Sequence, residues 1–190
     1  FVLAPAHAGD LTLSYAPASL AVSVGEPILI ELSIENRWLQ PLTVDLGTDR
    51  KEALAVSISR DRRVLTRDRR VGVVPYLRYN VIPGGVRRSS TVPIRAGETY
   101  RQWLLLSDWH DFDQPGAYQV EIEVAAPVKA QNGSSVSPLI STGTLAIGVD
   151  SADNRRLDQA CSRLYRRISA EDSTGDSMDF TRALASVRSP

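Results

Sequence analysis

The feature that most constrains this chain is a period of two in its apolar residues, which recurs from residue 11 to residue 149. Between residues 28 and 34, isoleucine and leucine alternate with glutamate and serine. Successive side chains of a β-strand point to opposite faces, so this pattern predicts a strand buried on one face only. Residues 118–124 and 145–149 repeat the pattern, and no helical period interrupts it.

Shorter apolar stretches, separated by glycine and proline turn signals, complete this region. Many short, half-buried strands without intervening helices are typical of an antiparallel sandwich of two sheets. We therefore predict a mainly β fold, an antiparallel two-sheet sandwich. The shorter predicted strands are residues 11–15, 20–24, 42–46, 54–59, 71–81, 90–94 and 99–106.

Two segments carry a resemblance to bacterial immunoglobulin-like domains of exported proteins. The VGEPI segment at 24–28 resembles the entry to strand B, and DQPGAYQV at 113–120 resembles the corner between strands E and F. The resemblance covers residues 9–150 and implies an immunoglobulin-like sandwich. It also implies that the Tyr118 hydroxyl caps a backbone group. Val120 stands where antibody domains have a cysteine, so the disulfide between their sheets is absent.

After residue 150 the apolar period changes to that of an amphipathic helix, with Ser151 or Asp153 placed to cap it. A second helical stretch follows a polar segment, so we predict a C-terminal α-helical hairpin over residues 151–190. The pair resembles the start of a HEAT-type repeat, which implies a longer helical array; the alternative is a hairpin packed on one sheet edge. The apolar positions are Leu157, Ala160, Cys161, Leu164 and Ile168, then Phe180, Ala183, Leu184 and Val187.

The first residues indicate export. Ala6-His7-Ala8 has the small-x-small form that signal peptidase accepts, so residues 1–8 are interpreted as a signal-peptide remnant or a disordered start. We predict an exported, periplasmic or extracellular bacterial protein. Its single cysteine, Cys161, excludes an internal disulfide and is expected to be buried. No apolar run reaches the ~20 residues of a membrane span.

The net charge of zero conceals a basic centre. Residues 60–101 hold eleven basic and three acidic side chains, whereas the segments on either side are acidic. Clustered arginines could bind another protein or an anionic surface. The alternative is a solvated hairpin whose aspartates pair locally. No aromatic residue lies within the arginine clusters at 60–70 and 87–88, so nucleic acid is not a predicted partner. The candidate binding residues are Arg62, Arg63, Arg69, Arg70, Arg87 and Arg88.

A second candidate site is the DWHDFD segment at 108–113. Asp108, Asp111 and Asp113 could supply oxygen ligands to a hard cation such as calcium, and His110 could join them as an acid–base pair. In the alternative interpretation, the two aromatic residues of the segment plug one end of the sandwich and the aspartates are solvated.

No catalytic or phosphate-binding motif is present, and no cofactor is predicted. We therefore predict a non-enzymatic binding or scaffold module of an exported, cell-envelope-associated bacterial protein. The alternative is a loop-mediated protease inhibitor, from a resemblance to chagasin-like inhibitors, which are single immunoglobulin-like domains that bind through three loops at one end. The matching loops here would be 36–40, 83–86 and 127–138.

Overall fold

Two β-sheets face each other across one apolar core. The computed structural model describes residues 11–47, 51–68, 90–170, 183–184 and 187. Its strands are β1 (Leu11–Pro17), β2 (Ala21–Ser23), β3 (Leu29–Asn36), β4 (Leu42–Asp45), β5 (Leu54–Arg60), β6 (Arg63–Asp68), β7 (Thr91–Ile94), β8 (Thr99–Leu105), β9 (Gly116–Ala130) and β10 (Ser135–Asp150), followed by helix α1 (Asn154–Ala170).

The smaller sheet has the order β1-β3-β8, and all its pairs are antiparallel. The larger sheet has the order β2-β10-β9-β4-β7. Strand β9 is long enough to take two partners on its second edge: β5 along residues 118–124 and β4 along residues 128–130. Strand β6 extends the sheet beyond β5.

The core lies between the sheets and is built from the residues that the alternation singles out. Ile30, Leu32 and Ile34 of β3 have no exposed surface, and Val120 and Ile122 of β9 pack in the same apolar cluster. Their polar neighbours face outward. The prediction of a mainly β sandwich of two sheets is confirmed; its immunoglobulin-like class stays a prediction.

Three details differ from the predictions. The sandwich is not wholly antiparallel, because β2 runs parallel to the last three residues of β10. The chain passes from β1 in the smaller sheet to β2 in the larger sheet within a few residues. No pattern in the sequence predicts this change of sheet. Strand β6 was not predicted, since its RVLTRD sequence is half charged. The predicted strand at 71–81 lies outside the described residues.

The third difference concerns the predicted loop at 127–138. Most of it is strand, because β9 continues to Ala130 and β10 begins at Ser135, leaving a turn of four residues. Val128 stays buried while Pro127 and Lys129 stay exposed, so the alternation continues through this stretch. Pro127 and Pro138 lie next to a register shift between Val136 and Leu139, where a missing N–H is tolerated.

Helix α1 confirms the first predicted helix. The Asp153 carboxylate accepts hydrogen bonds from the N–H groups of Arg155 and Arg156, so Asp153 is the N-cap. Leu157, Ala160 and Leu164 are buried. Cys161 is free but only partly buried.

The predicted helical pair is not supported. Most of the second helix lies outside the described residues, although Ala183 and Leu184 are helical. Ala183 packs with Leu164 against Leu29 and Leu105 of the smaller sheet. The alternative was a helical hairpin packed on one sheet edge; this contact agrees with packing on the smaller sheet, whereas the hairpin itself stays a prediction. No described helix is long and apolar enough to cross a membrane.

Candidate binding surfaces

The corner between β8 and β9, residues 106–118, lies at one end of the sandwich and is fixed by Tyr118. The Tyr118 hydroxyl donates a 2.8 Å hydrogen bond to the carbonyl oxygen of Gln114. The Tyr118 side chain is buried, and the guanidinium of Arg60 lies 5.6 Å from its ring centre. Arg60 also donates to the Tyr118 hydroxyl and to the Gln114 side chain. The capping role that the resemblance implied for Tyr118 is confirmed.

Asp108 points into the protein, where Lys51 neutralises it. The Lys51 ammonium lies 2.6 Å from a carboxylate oxygen of Asp108, and the two side chains are only 5% and 6% exposed. The ammonium also lies 5.7 Å from the ring centre of Trp109, an arrangement in which the ring face attracts the cation. Asp108 is therefore engaged in a buried ion pair.

His110 belongs to an aromatic cluster in the same corner. Its ring meets Phe112 edge to face at 5.2 Å, and Phe112 meets Tyr118 in the same way at 5.0 Å. The Nδ1 atom of His110 is 3.0 Å from the hydroxyl oxygen of Thr66. Burial lowers the pKa of His110, and the charges of Asp111 and Asp113 only partly oppose this effect.

The structure does not bring the predicted metal ligands together. Asp108 is buried with Lys51, Asp111 is partly buried and Asp113 is exposed. Among the residues that the structure describes, no group of three or more His, Cys, Asp or Glu side chains is arranged to hold a metal ion. Trp109 and Phe112 are both buried, as the alternative interpretation predicted, but that interpretation is wrong about Asp108, which is buried and not solvated.

The described part of the basic block is a β-hairpin that projects at the corner end. Asp61 and Arg62 form its two-residue turn, and both have positive φ angles, 50° and 65°. Such a turn matches the twist of the two strands it joins. Arg62 and Arg63 are exposed, whereas Arg60 at the base turns inward onto Tyr118. We call Arg60–Arg63 the arginine hairpin.

The remaining predicted arginines, Arg69, Arg70, Arg87 and Arg88, lie outside the described residues. Sequence reasoning assigned Arg60 to the same basic block as its neighbours, but Arg60 has a different role. Its position opposite Tyr118 in the β5–β9 pairing could be found only from the register of the two strands.

A cavity of about 330 Å³ lies between α1 and the sandwich, at the end of the sandwich that carries the corner. Glu26 lies in its wall with 6% of the side chain exposed. The Glu26 carboxylate accepts hydrogen bonds from the Ser23 N–H and from Arg163 of α1, both at 3.1 Å. Arg156 of α1 donates to the carbonyl of Ala21 at 2.7 Å. These contacts dock α1 on the sandwich.

From the sequence, Glu26 is predicted only as part of the turn at 25–27. The turn is present: the Glu26 N–H bonds the Ser23 carbonyl, and Gly25 has a φ of 86°, which glycine adopts without strain. The burial of Glu26 was not predictable from sequence, because its partners Arg156 and Arg163 belong to a helix more than a hundred residues later in the chain.

The opposite end of the sandwich carries the turns at 37–41, 95–98 and 131–134, because Leu42 pairs with both Ala130 and Ile94. Asn36 organises this end, since its buried amide donates to the carbonyls of Gln40 and Ile94. Two of the three loops of the inhibitor prediction lie at this end, namely 36–40 and 127–138, and the latter is reduced to the turn at 131–134. The third, at 83–86, lies outside the described residues.

Comparison with known proteins assigns no family to the chain. No family model matches it, and no curated protein matches its sequence. Solved structures give distant matches. A CARDB domain from Pyrococcus furiosus, in complex with di-metal ions, is 14% identical over 75% of this chain and 94% of that one, with a TM-score of 0.39.

Two further matches come from other classes of protein. A cycloisomaltooligosaccharide glucanotransferase from Paenibacillus sp. is 17% identical over 75% of this chain and 14% of that chain, with a TM-score of 0.38. The sporulation control protein Spo0M from Bacillus subtilis is 12% identical over 84% of this chain and 56% of that chain, with a TM-score of 0.35. Overlaps this low carry no functional assignment.

Proposed function

We propose that this chain is a non-enzymatic binding or scaffold module of an exported, cell-envelope-associated bacterial protein. Its contact surface is the exposed tip of the arginine hairpin, and its favoured partner is the acidic surface of another protein. The observation that carries the proposal is the contrast within the hairpin: Arg60 is held against Tyr118, while Arg62 and Arg63 extend into solvent.

The chemical groups of the corner support a binding role over a catalytic one. A catalytic acid or base must reach a substrate. Asp108 is instead paired with Lys51 in the interior, and His110 packs between Phe112 and Thr66. The contacts of Asp108 and His110 therefore favour a structural role for these two residues.

The positions of Arg62 and Arg63 suit contact with an anionic partner. Guanidinium groups pair carboxylates and phosphates in two-pronged fashion. A turn held at its base by Arg60 presents both side chains without a large ordering cost, because the backbone beneath them is already fixed. Nucleic acid is not the proposed partner, since residues 60–70 contain no aromatic side chain on which a base could stack.

A charge reversal tests this proposal, with poly-L-glutamate as the probe for an acidic protein surface and phosphatidylglycerol vesicles as the probe for an anionic membrane. Arg62→Glu/Arg63→Glu should weaken binding of poly-L-glutamate about fivefold to tenfold at low salt, since each exposed ion pair contributes about 0.2–1 kcal/mol. The control Arg155→Glu/Arg166→Glu makes the same change in net charge on the exposed face of α1.

An equal loss of binding in the two variants would contradict the proposal, because net charge alone would then account for it. Binding to the vesicles but not to poly-L-glutamate would move the proposed partner to a lipid surface. Export is tested separately, by locating the full-length gene product in cell fractions.

The inhibitor function remains the alternative. It has one supporting observation: Leu39, at the tip of the β3–β4 loop, is 82% exposed and sits at the same end as the turn at 131–134. A titration against papain tests it. Inhibition that Leu39→Ser abolishes would favour this alternative, and full protease activity at a large excess of the chain would reject it.

A further inference from the structure

The outer edge of β10 lacks a partner strand among the described residues. Only Gly148–Asp150 pair with β2, whereas β10 pairs with β9 along its whole inner edge. From Leu139 to Ile147 the register with β9 is continuous, past the shift near Pro138. We call the outer side of residues 139–147 the open edge.

The direction of the backbone groups along this edge follows from one hydrogen bond. The Gly148 N–H donates outward to Leu20. Backbone groups alternate between the two sides of a strand, so the even-numbered residues before Gly148 also direct their N–H and C=O groups outward. These residues are Ile140, Thr142, Thr144 and Ala146, and the side chains of all four are exposed.

The open edge lacks the features by which proteins usually protect edge strands, namely charged side chains and interrupting prolines. Residues 130–149 contain no ionisable side chain. At the other side of the sheet, β6 carries Arg63, Arg67 and Asp68 within six residues. The two edges of one sheet therefore differ sharply in charge.

We propose that the open edge is a dimerisation surface, on which β10 pairs antiparallel with β10 of a second copy of this chain. The occupant is a second copy because an uncharged edge meets no like charge when it pairs with itself. A strongly acidic or basic peptide would gain no ion pair there. The result is one continuous sheet through both molecules.

The geometry fixes the register of this pairing. The nine residues of the open edge are centred on Gly143, so a two-fold axis at Gly143 uses the whole edge. Thr142 then lies opposite Thr144 of the second copy, and Ile140 lies opposite Ala146 of the second copy. In this register the four outward N–H groups of each chain find the four outward C=O groups of the other.

The side chains agree with this register. Threonine pairs across antiparallel strands are favourable, and Ile140, which is 71% exposed, would cover the small Ala146 of the second copy. A closed two-fold pairing also leaves no further open strand at this edge, so assembly stops at two chains.

Sedimentation velocity over a concentration series tests the proposal. The chain, of 20.8 kDa, should sediment with twice that mass as concentration rises. Thr142→Lys/Thr144→Lys places lysines opposite each other across the axis and should make the protein monomeric. The control Ala117→Lys/Ala125→Lys adds the same charge on the exposed face of β9, one strand inward, and should remain dimeric.

A cross-linking experiment tests the register in a Cys161→Ser background. Thr142→Cys chains mixed with Thr144→Cys chains should form more disulfide-linked dimer than either variant alone, because the two positions face each other. A chain that stays monomeric at every concentration would overturn the proposal. So would an edge variant with unaltered melting temperature that dimerises as well as the control.

Discussion

At the corner, Tyr118, Arg60 and Asp108 each find a partner within the chain, and the Lys51–Asp108 pair is almost fully buried. At the open edge, four consecutive even-numbered residues direct their backbone groups away from the sheet, and their side chains are exposed. The corner therefore contributes to stability, whereas the open edge is available for association. The corner contains several ionisable and aromatic residues in a short stretch of sequence, whereas the open edge contains no ionisable residue.

The largest expected effect comes from breaking the buried pair. Lys51→Met should lower the free energy of unfolding by about 3–5 kcal/mol, because it removes the cation that lies 2.6 Å from the buried Asp108 carboxylate. Equilibrium denaturation in urea measures the loss. The double variant Lys51→Met/Asp108→Leu should recover most of it, since both charges of the pair are then removed. A double variant as unstable as the single one would contradict this account.

The next effect lies under the open edge. A methyl group on Gly143 would overlap the Tyr15 ring of β1, which lies against this strand. Gly143→Ala should therefore cost about 1–3 kcal/mol through displacement of the ring. Tyr15→Leu/Gly143→Ala should cost less than the sum of the two single substitutions. Additive losses would mean that the two residues do not interact.

Removing the capping hydroxyl tests the corner more gently. Tyr118→Phe keeps the ring in its aromatic cluster and should cost about 1–2 kcal/mol, because it removes the hydrogen bond to Gln114 and the one from Arg60. Thermal melting followed by circular dichroism measures the change. An unaltered melting temperature would show that these two hydrogen bonds contribute nothing net.

A substitution in the arginine hairpin should raise stability slightly. Asp61 and Arg62 both hold positive φ angles, a conformation that glycine, asparagine and aspartate tolerate but that costs energy for arginine. Asp61→Asn/Arg62→Gly supplies the residue pair that this turn prefers and should add about 0.5–1 kcal/mol. A loss of stability in urea denaturation would mean that the side-chain contacts of Asp61 outweigh the backbone strain.

The smallest effect is a pH dependence. Because burial lowers the pKa of His110, the unfolded chain takes up a proton first as the pH falls below about 6.5. The contribution of His110 to stability is therefore present at neutral pH and is lost on acidification. His110→Asn should reduce the loss of stability between pH 7.5 and pH 5.5. Parallel curves for the two proteins would contradict the assignment.

The strands were predictable from sequence because burial on one face leaves a period of two, as in residues 28–34. The cap on α1 and the hydroxyl bond of Tyr118 were also predictable, since both depend on residues close in sequence. The partner of Asp108 was not predictable. Lys51 is 57 residues away, and only the packing of the β4–β5 connection against the corner brings the two together.

The open edge was not predictable for a related reason. Residues 127–138 contain two prolines and polar residues, which indicate a loop, and only the observed pairing of β9 with β10 shows a long hairpin. Which strand of a sandwich lies at an edge depends on the order of the strands, and the local sequence of β10 does not encode that order.

The parallel pairing of β2 with β10 has a mechanical consequence. Tension that draws the start of β2 and the end of β10 apart acts along both strands and across their shared hydrogen bonds, at Ala21–Ser23 and Gly148–Asp150. These bonds are then loaded in shear and must fail together, whereas the bonds of a hairpin pulled from its open end fail one at a time. The shortest strand of the larger sheet thus carries the load when tension is applied between residues 21 and 150.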